Sequence, residues 1–458
     1  MICRTKTFPS GIRDKAAELV YLIKTRFITT EGFLARNYPT KERTLFDNFD
    51  DIVPFFLFFD EADFLLSQIN LIHKSNHNFM TLCADGNVLI TRNIDEWFGG
   101  LFALWKATHD HKTFILLENS IQFVDENLLK DNYLAPAYDL YRGTITSFYE
   151  PWSSGLLETL CEMREEFPKL FEKAQNVLRL WLQDEYFRKY GLLPYRMFSS
   201  NFKRNAQRIF LSRNCPNMSF NKFPQCYPSK GLYGFLSYQR NLLKFSLSNG
   251  WYSQMMKSNS TCAFTMLEYY NATGDKFWYD SLSNWIENAK VNFVKNNKVY
   301  MKYFPKTGLQ FDAEARAAFI FSDVICDSAF LLSPFRKYLP WVKSILDYQW
   351  ENRLDNGMVP FSDEGCFAHI DDQVDLAISF RRFGELTHDN EYINRSRTLI
   401  NDMIATHYTP EGYLTYSGEI QGNVIDPKYN ALVLKGMINL ITLDEPLYSR
   451  YHSLFKDR

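Results

Sequence analysis

Carboxylates recur in this chain as neighbours: Asp50 and Asp51 within Phe46-Asp-Asn-Phe-Asp-Asp-Ile52, Asp95 and Glu96 before Trp97, Asp312 with Glu314, Asp371 and Asp372, and a single Asp426. One carboxylate is enough to cap a helix, whereas two adjacent ones repel unless a partner or a task holds them. Two carboxyl groups, one protonated and one ionised and about 5 to 9.5 Å apart, are what cleavage of a glycosidic bond requires. Asp51, Asp95 and Asp372 are therefore the leading catalytic candidates, with Glu96 and Asp371 as their paired neighbours. The competing reading for each is a helix cap, because Asp and Glu suit helix N-termini by hydrogen bonding and by the macrodipole alone.

Aromatic and basic residues accompany these acids. Tyr38, Trp97, Trp152, Tyr303, Phe361, Tyr413 and Tyr416 fall in or beside the same segments, and sugar rings stack their C–H faces on such side chains. The competing reading is that most pack as core in so aromatic a chain. His369 stands two residues before Asp371 and joins Tyr38, Trp97, Trp152, Tyr303 and Tyr413 as a candidate substrate contact. Arg36, Arg92 and Lys302 would either neutralise an acidic sugar or pair with the carboxylates.

Positioning these residues falls to a repeat. Ala107-Thr-His-Asp110, Ala272-Thr-Gly-Asp275 and Leu386-Thr-His-Asp389 each lie between two amphipathic apolar runs, with the Asp as N-cap of the second helix. Pro168 and Pro334 mark equivalent turns. From each turn to a short apolar extended segment is 23 or 24 residues: Asp110 to Tyr133, Pro168 to Leu192, Asp275 to Val299, Pro334 to Met358 and Asp389 to Tyr413. Helical hairpins of this period stack on their neighbours. Six are expected over 94–458, with first helices starting near Asp95, Trp152, Asn259, Asp312, Asp371 and Pro427, and the last turning at Asp444. A seventh is possible within 1–75. The fold expected is all-α, a closed (α/α)6 toroid around a central acidic funnel, forming a single domain over 1–458. Residues 1–93 supply N-terminal helices and a β-hairpin near Asp85-Gly86, and 195–258 form an irregular insertion near the mouth.

Hydrophobic residues at 46% and aromatics at 17%, with 40 Phe and 27 Tyr, can bury a large core. Fifty-one basic against 53 acidic residues, unclustered, give a net charge of −2 and no nucleic-acid footprint. No apolar run approaches a membrane span, and charges at Arg4, Lys6, Arg13, Asp14, Lys15 and Glu18 interrupt a signal-like start. Eight scattered cysteines without a C-x-x-C pair fit a reduced compartment, so a cytoplasmic location is expected, with no metal and no cofactor.

The phrases Leu386-Thr-His-Asp389-Asn-Glu-Tyr392 and Thr409-Pro-Glu-Gly412-Tyr413 resemble the helix–turn–helix and loop punctuation of the six-hairpin glycosidase-like superfamily. That resemblance covers about four-fifths of the chain. It implies a carbohydrate-active enzyme, a glycoside hydrolase first and a sugar epimerase or isomerase second. The epimerases of that group use histidines on inner helices, and here His369 alone is so placed. Asp371-Asp-Gln-Val-Asp375 also resembles the Mg²⁺-binding D-D-x-x-D of all-helical terpene synthases, though no second metal motif follows on a later helix. A non-catalytic carbohydrate-binding or scaffold protein is the remaining alternative.

Overall fold

The computed structural model describes residues 10–198 and 254–456, apart from 42, 76, 131–132, 146–147, 196, 306–307, 364 and 419–423. Sixteen α-helices are described: α1 Ser10–Arg26, α2 Val53–Phe58, α3 Ala62–Lys74, α4 Phe79–Cys83, α5 Thr91–Thr108, α6 His111–Asn127, α7 Ser154–Glu162, α8 Pro168–Gln183, α9 Glu185–Tyr190, α10 Met256–Thr273, α11 Lys276–Phe293, α12 Ala315–Leu331, α13 Leu339–Glu351, α14 Ile370–Thr387, α15 Asn390–His407 and α16 Pro427–Ile441.

Helices α2, α5, α7, α10, α12, α14 and α16 pack side by side, and α16 meets α2 to close a ring. The chain is thus an α/α toroid, and the ring has seven inner helices, the six expected over 94–458 and the further one allowed for within 1–75. The extra hairpin is α2 with α3. The expected outer helix after Asp444 does not form. Instead α1 packs on α16, and Leu447–Leu454 form a short π turn followed by a 3-10 turn. This tail closes the bottom of the ring: Tyr448 donates to Asp327 at 3.0 Å, Arg382 donates to the Phe455 carbonyl at 2.7 Å, and Lys456 sits on Glu158, Glu162 and Glu268 at 2.8, 3.2 and 3.1 Å.

The turn chemistry follows the sequence closely. Asp110, Asp275 and Asp389 accept hydrogen bonds from the backbone N–H of Thr113, Phe277 and Glu391, at 2.8, 2.9 and 3.0 Å. Gly274 takes the left-handed conformation that ends α10, and His109 and His388 adopt the same conformation in the sister turns, at φ 52° and 57°. Inner helices begin up to four residues earlier or three later than expected. Asp312 is no helix start; it lies in the strand Leu309–Ala313, exposed and paired with Lys302. Near Asp85-Gly86 a turn does form, but the strand that follows, Val88–Ile90, pairs with Ala137–Asp139 rather than closing a separate hairpin. Of the expected insertion, 201–253 lies outside the described residues.

A recurring clamp fixes the extended segments to the ring. In three inner helices the fourth residue is an amide side chain that accepts from the backbone N–H and donates to the backbone C=O of one buried residue of the preceding extended segment. Asn259 holds Leu193 (2.7 and 2.9 Å), Gln373 holds Val359 (2.8 and 2.8 Å) and Asn430 holds Tyr413 (2.7 and 3.0 Å). Each buried backbone group left unpaired costs about 1–3 kcal/mol. Asn430→Ala should therefore lower unfolding free energy by about 2–4 kcal/mol, measured by urea denaturation, while an exposed control such as Asn394→Ala should change it by less than about 0.5 kcal/mol.

Candidate functional site

Because the inner helices run in one direction, their first turns converge on one end of a central cavity of about 440 Å³. The second residue of six of them lines it: Pro54 of α2, Arg92 of α5, Lys257 of α10, Arg316 of α12, Asp371 of α14 and Lys428 of α16. In α7 that position is Gly155, where a Cβ would lie 2.3 Å from an Asp95 carboxylate oxygen and 3.1 Å from an Arg92 guanidinium nitrogen. Glycine is needed there so that the Arg92–Asp95 ion pair can lie against α7.

The expected acidic funnel is charge-balanced instead. Asp50, Asp51, Glu96, Glu162, Asp371 and Asp375 line the cavity together with Arg92, Lys106, Lys257, Arg316, Lys428, Lys435 and Lys456. Closure of the ring removes these carboxylates from water, and buried charges persist only when paired. Arg316 bridges Asp371 and Asp372, at 2.9 and 3.1 Å. Lys428 lies 3.1 Å from Asp51, Arg92 lies 3.0 Å from Glu96, and Lys435 lies 2.8 Å from Asp375. Arg36 donates to Asn48, which donates in turn to Glu96.

Position separates the sequence candidates. Asp51, Glu96 and Asp371 face the cavity, with Asp50 beside them. Asp372 is fully buried beneath Asp371, and its second oxygen has no hydrogen-bond partner. Asp95 does not line the cavity: it is fully buried between α5 and α7, paired with Arg92 and accepting from the Thr159 hydroxyl at 2.6 Å. Trp97 is core, packed on Phe46 and Phe49 and donating to Ser120 at 3.1 Å. Tyr413 is buried against Tyr408, Tyr303 packs on Phe293, and Tyr38 packs on Phe27, all away from the cavity lining. Trp152 does not line the cavity either, but its ring lies 4.9 Å from the ammonium of Lys257, which does; the aromatics of the lining itself are Phe55, Phe102 and Phe319.

His369 caps α14 with its ring between Tyr416 and Tyr429, both at 4.7 Å. It is 2% exposed, and its Nδ1 has no hydrogen-bond partner among the described residues. Burial holds its pKa below the ordinary histidine value despite Asp372 and Asp371 nearby, so the ring stays neutral.

The carboxyl groups are driven apart in acidity. Burial raises Glu96, against the opposing charges of Arg92 and Lys428. Burial also raises Asp372, and it raises Glu314 at the rim to about 7, against the opposing charge of Arg316. For Asp371 burial acts in the same sense but is outweighed by cations, Arg316 first and then Lys428 and Lys257, and the carboxyl is held below its ordinary value. Opposed shifts of this kind distinguish a proton donor from an ionised base.

Two triads bring three possible metal-ligand atoms within 4.8 Å of one another, His369–Asp371–Asp372 and Asp50–Asp51–Glu96. Each already faces cations of the protein, Arg316 in the first case and Lys428 with Arg92 in the second. The three carboxylates of the D-D-x-x-D run are likewise neutralised by Arg316 and Lys435, which disfavours the Mg²⁺ reading. Cys161, Cys262 and Cys326 are buried on inner helices, where burial raises their thiols, and they serve as core.

Sequence reasoning missed Lys257, Arg316, Lys428 and Tyr429. The signal that could have found the first three is the register: each stands at the second position of an inner helix, where the macrodipole disfavours a cation.

No family model and no curated protein matches the sequence. Solved structures do match the fold. An alpha-1,2-mannosidase from Trichoderma reesei superimposes with a TM-score of 0.63 at 10% identity, covering 93% of this chain and 92% of that one. A D-mannose isomerase gives 0.58 at 9% identity over 96% and 100%. A cellobiose 2-epimerase from Bacillus thermoamylovorans gives 0.57 at 13% identity over 83% and 99%. The chain therefore shares its α/α toroid fold with these structures. No described helix is long and apolar enough to cross a membrane.

Arg316→Ala would leave Asp372 buried without its counter-charge. Breaking one side of a buried pair costs about 3–5 kcal/mol, so the variant should lose that much stability in urea denaturation at neutral pH. The loss should shrink as Asp371 and Asp372 protonate in acid.

Proposed function

We propose that this chain is a carbohydrate-active enzyme that hydrolyses a glycosidic bond in the central cavity. The observation that carries the reading is the opposed acidity of two cavity carboxyls, Glu96 pushed up by burial and Asp371 held down chiefly by Arg316. The upward shift suits Glu96 to the role of giving a proton to the leaving oxygen. Asp371 stays ionised to attack the anomeric carbon or to take a proton from water. Arg316 holds Asp371 ionised and in place, and Trp152 offers a sugar ring a stacking face. The similarity of fold to a mannosidase, an isomerase and an epimerase supports a sugar as substrate.

The test is release of aglycone from a panel of aryl glycosides and uronides by the full chain. Glu96→Gln and Asp371→Asn should each lower kcat by about 10²–10⁴, with circular dichroism unchanged. Activity should fall as pH rises through the raised pKa of Glu96, because the donor then loses its proton. Unchanged turnover in both variants would exclude this assignment.

A second reading, sugar epimerisation or isomerisation, is favoured by His369. A neutral imidazole with an unpartnered Nδ1 beside Asp372 is suited to taking a proton from carbon. On this reading, free mannose or cellobiose incubated with the protein in D₂O takes up deuterium at C2, and His369→Ala abolishes that uptake. Absence of exchange with aglycone release intact would leave hydrolysis alone.

A further inference from the structure

Four of the seven second positions on the inner helices are basic, although a cation at a helix N-terminus works against the macrodipole at about 0.3–1 kcal/mol each. Three of the four recover that cost through carboxylates: Arg92 on Asp95 and Glu96, Arg316 on Asp371 and Asp372, and Lys428 on Asp51. Lys257 does not. It lines the cavity, and among the described residues it has no ion pair; the side chain against it is Trp152, whose ring centroid is 4.9 Å from Nζ.

Its surroundings add to the imbalance. Burial, and then the charges of Arg316, Arg92 and Lys428, lower the pKa of Lys257 to about 8. A ligand that fills the cavity strips water from this ammonium. A neutral sugar would leave it buried with only the shared charge of Asp371 to offset it, which is costly, whereas an anion would complete the pairing already made by its three neighbours.

We infer that Lys257 anchors the carboxylate of an acidic sugar, a uronate unit held at the mouth with its ring against Trp152. The inference rests on the carbohydrate reading above and names its substrate class. One ammonium without a direct ion pair among the described residues calls for a single negative charge, which favours a carboxylate over a phosphate dianion. The forked guanidinium groups nearby are already committed to Asp and Glu, so among the described cations of the rim the point charge of Lys257 is the one left to take an anion.

The experiment is isothermal titration calorimetry of the full chain with glucuronate, glucose and glucose 6-phosphate at low ionic strength, repeated on Lys257→Met and Lys257→Arg. Glucuronate should bind at least about tenfold tighter than glucose. Lys257→Met should reduce that preference to about twofold or less, and Lys257→Arg should keep most of it, with melting temperatures showing that each variant is folded. Equal binding of glucuronate and glucose, or a preference that survives in Lys257→Met, overturns the anchor alone. Tighter binding of glucose 6-phosphate overturns the carboxylate assignment. Binding of none of the three sugars overturns the anchor together with the carbohydrate reading, which aglycone release from neutral glycosides would separately rescue.

Discussion

All seven inner helices run the same way, and the rest of the structure depends on that one constraint. Parallel neighbours bring seven first turns to one rim, so seven unsatisfied helix ends and their side chains crowd a single opening. The second position of each helix then becomes a site residue by geometry alone. Proline and glycine occupy it in α2 and α7, where the rim needs bulk out of the way. Arginine, lysine and aspartate occupy it elsewhere.

Such convergence creates an electrostatic problem that the sequence solves locally. Helix N-termini attract carboxylates, and burial makes unpaired carboxylates expensive. The cations at the same rim settle the difference, so that Arg316 serves Asp371 and Asp372 at once and Lys428 serves Asp51. The arrangement also sorts the carboxyls. Those with ample cationic company, such as Asp371, remain ionised, and those where desolvation dominates, such as Glu96 and Glu314, hold their protons more tightly. At the opposite end the same logic recurs, with Lys456 compensating three glutamates beneath the cavity.

Much of the fold was legible because helix hairpins announce themselves through local chemistry. Aspartate caps, left-handed residues and helix-starting prolines act within a few residues and need no tertiary context. The exact place of the seventh inner helix within 1–75 was not, because α2 spans only Val53–Phe58 and shows too little periodicity to stand out. Nor was the pairing of α1 with α16, which is long-range. In the site, acid pairs were visible as pairs, but their directions were not: Asp95 and Glu96 are adjacent, and a helix turns them about 100° apart, sending Asp95 against α7 and Glu96 to the cavity. Trp97 and Tyr413 misled for a related reason, since aromatic side chains beside a mouth loop serve the core as readily as the ligand. The basic residues escaped notice because a lone lysine or arginine carries no motif, and only the shared register makes them a set.

Completion of the ring joins α2 to α16 and lets α1 pack on α16, contacts between elements far apart in the sequence. Until α16 emerges, α1 has no inner helix to cover, and the apolar stripe bearing Ala16, Leu19, Val20 and Ile23 faces water. The entropy of so long a closure grows only logarithmically with the intervening chain, so its effect on final stability is small. Its effect on timing is large, because a contact between such distant segments comes late. The seam along α16 is therefore the kinetic gate of the molecule: a nascent toroid spends its synthesis as an open crescent, with the cavity and its charges unformed until the last inner helix arrives.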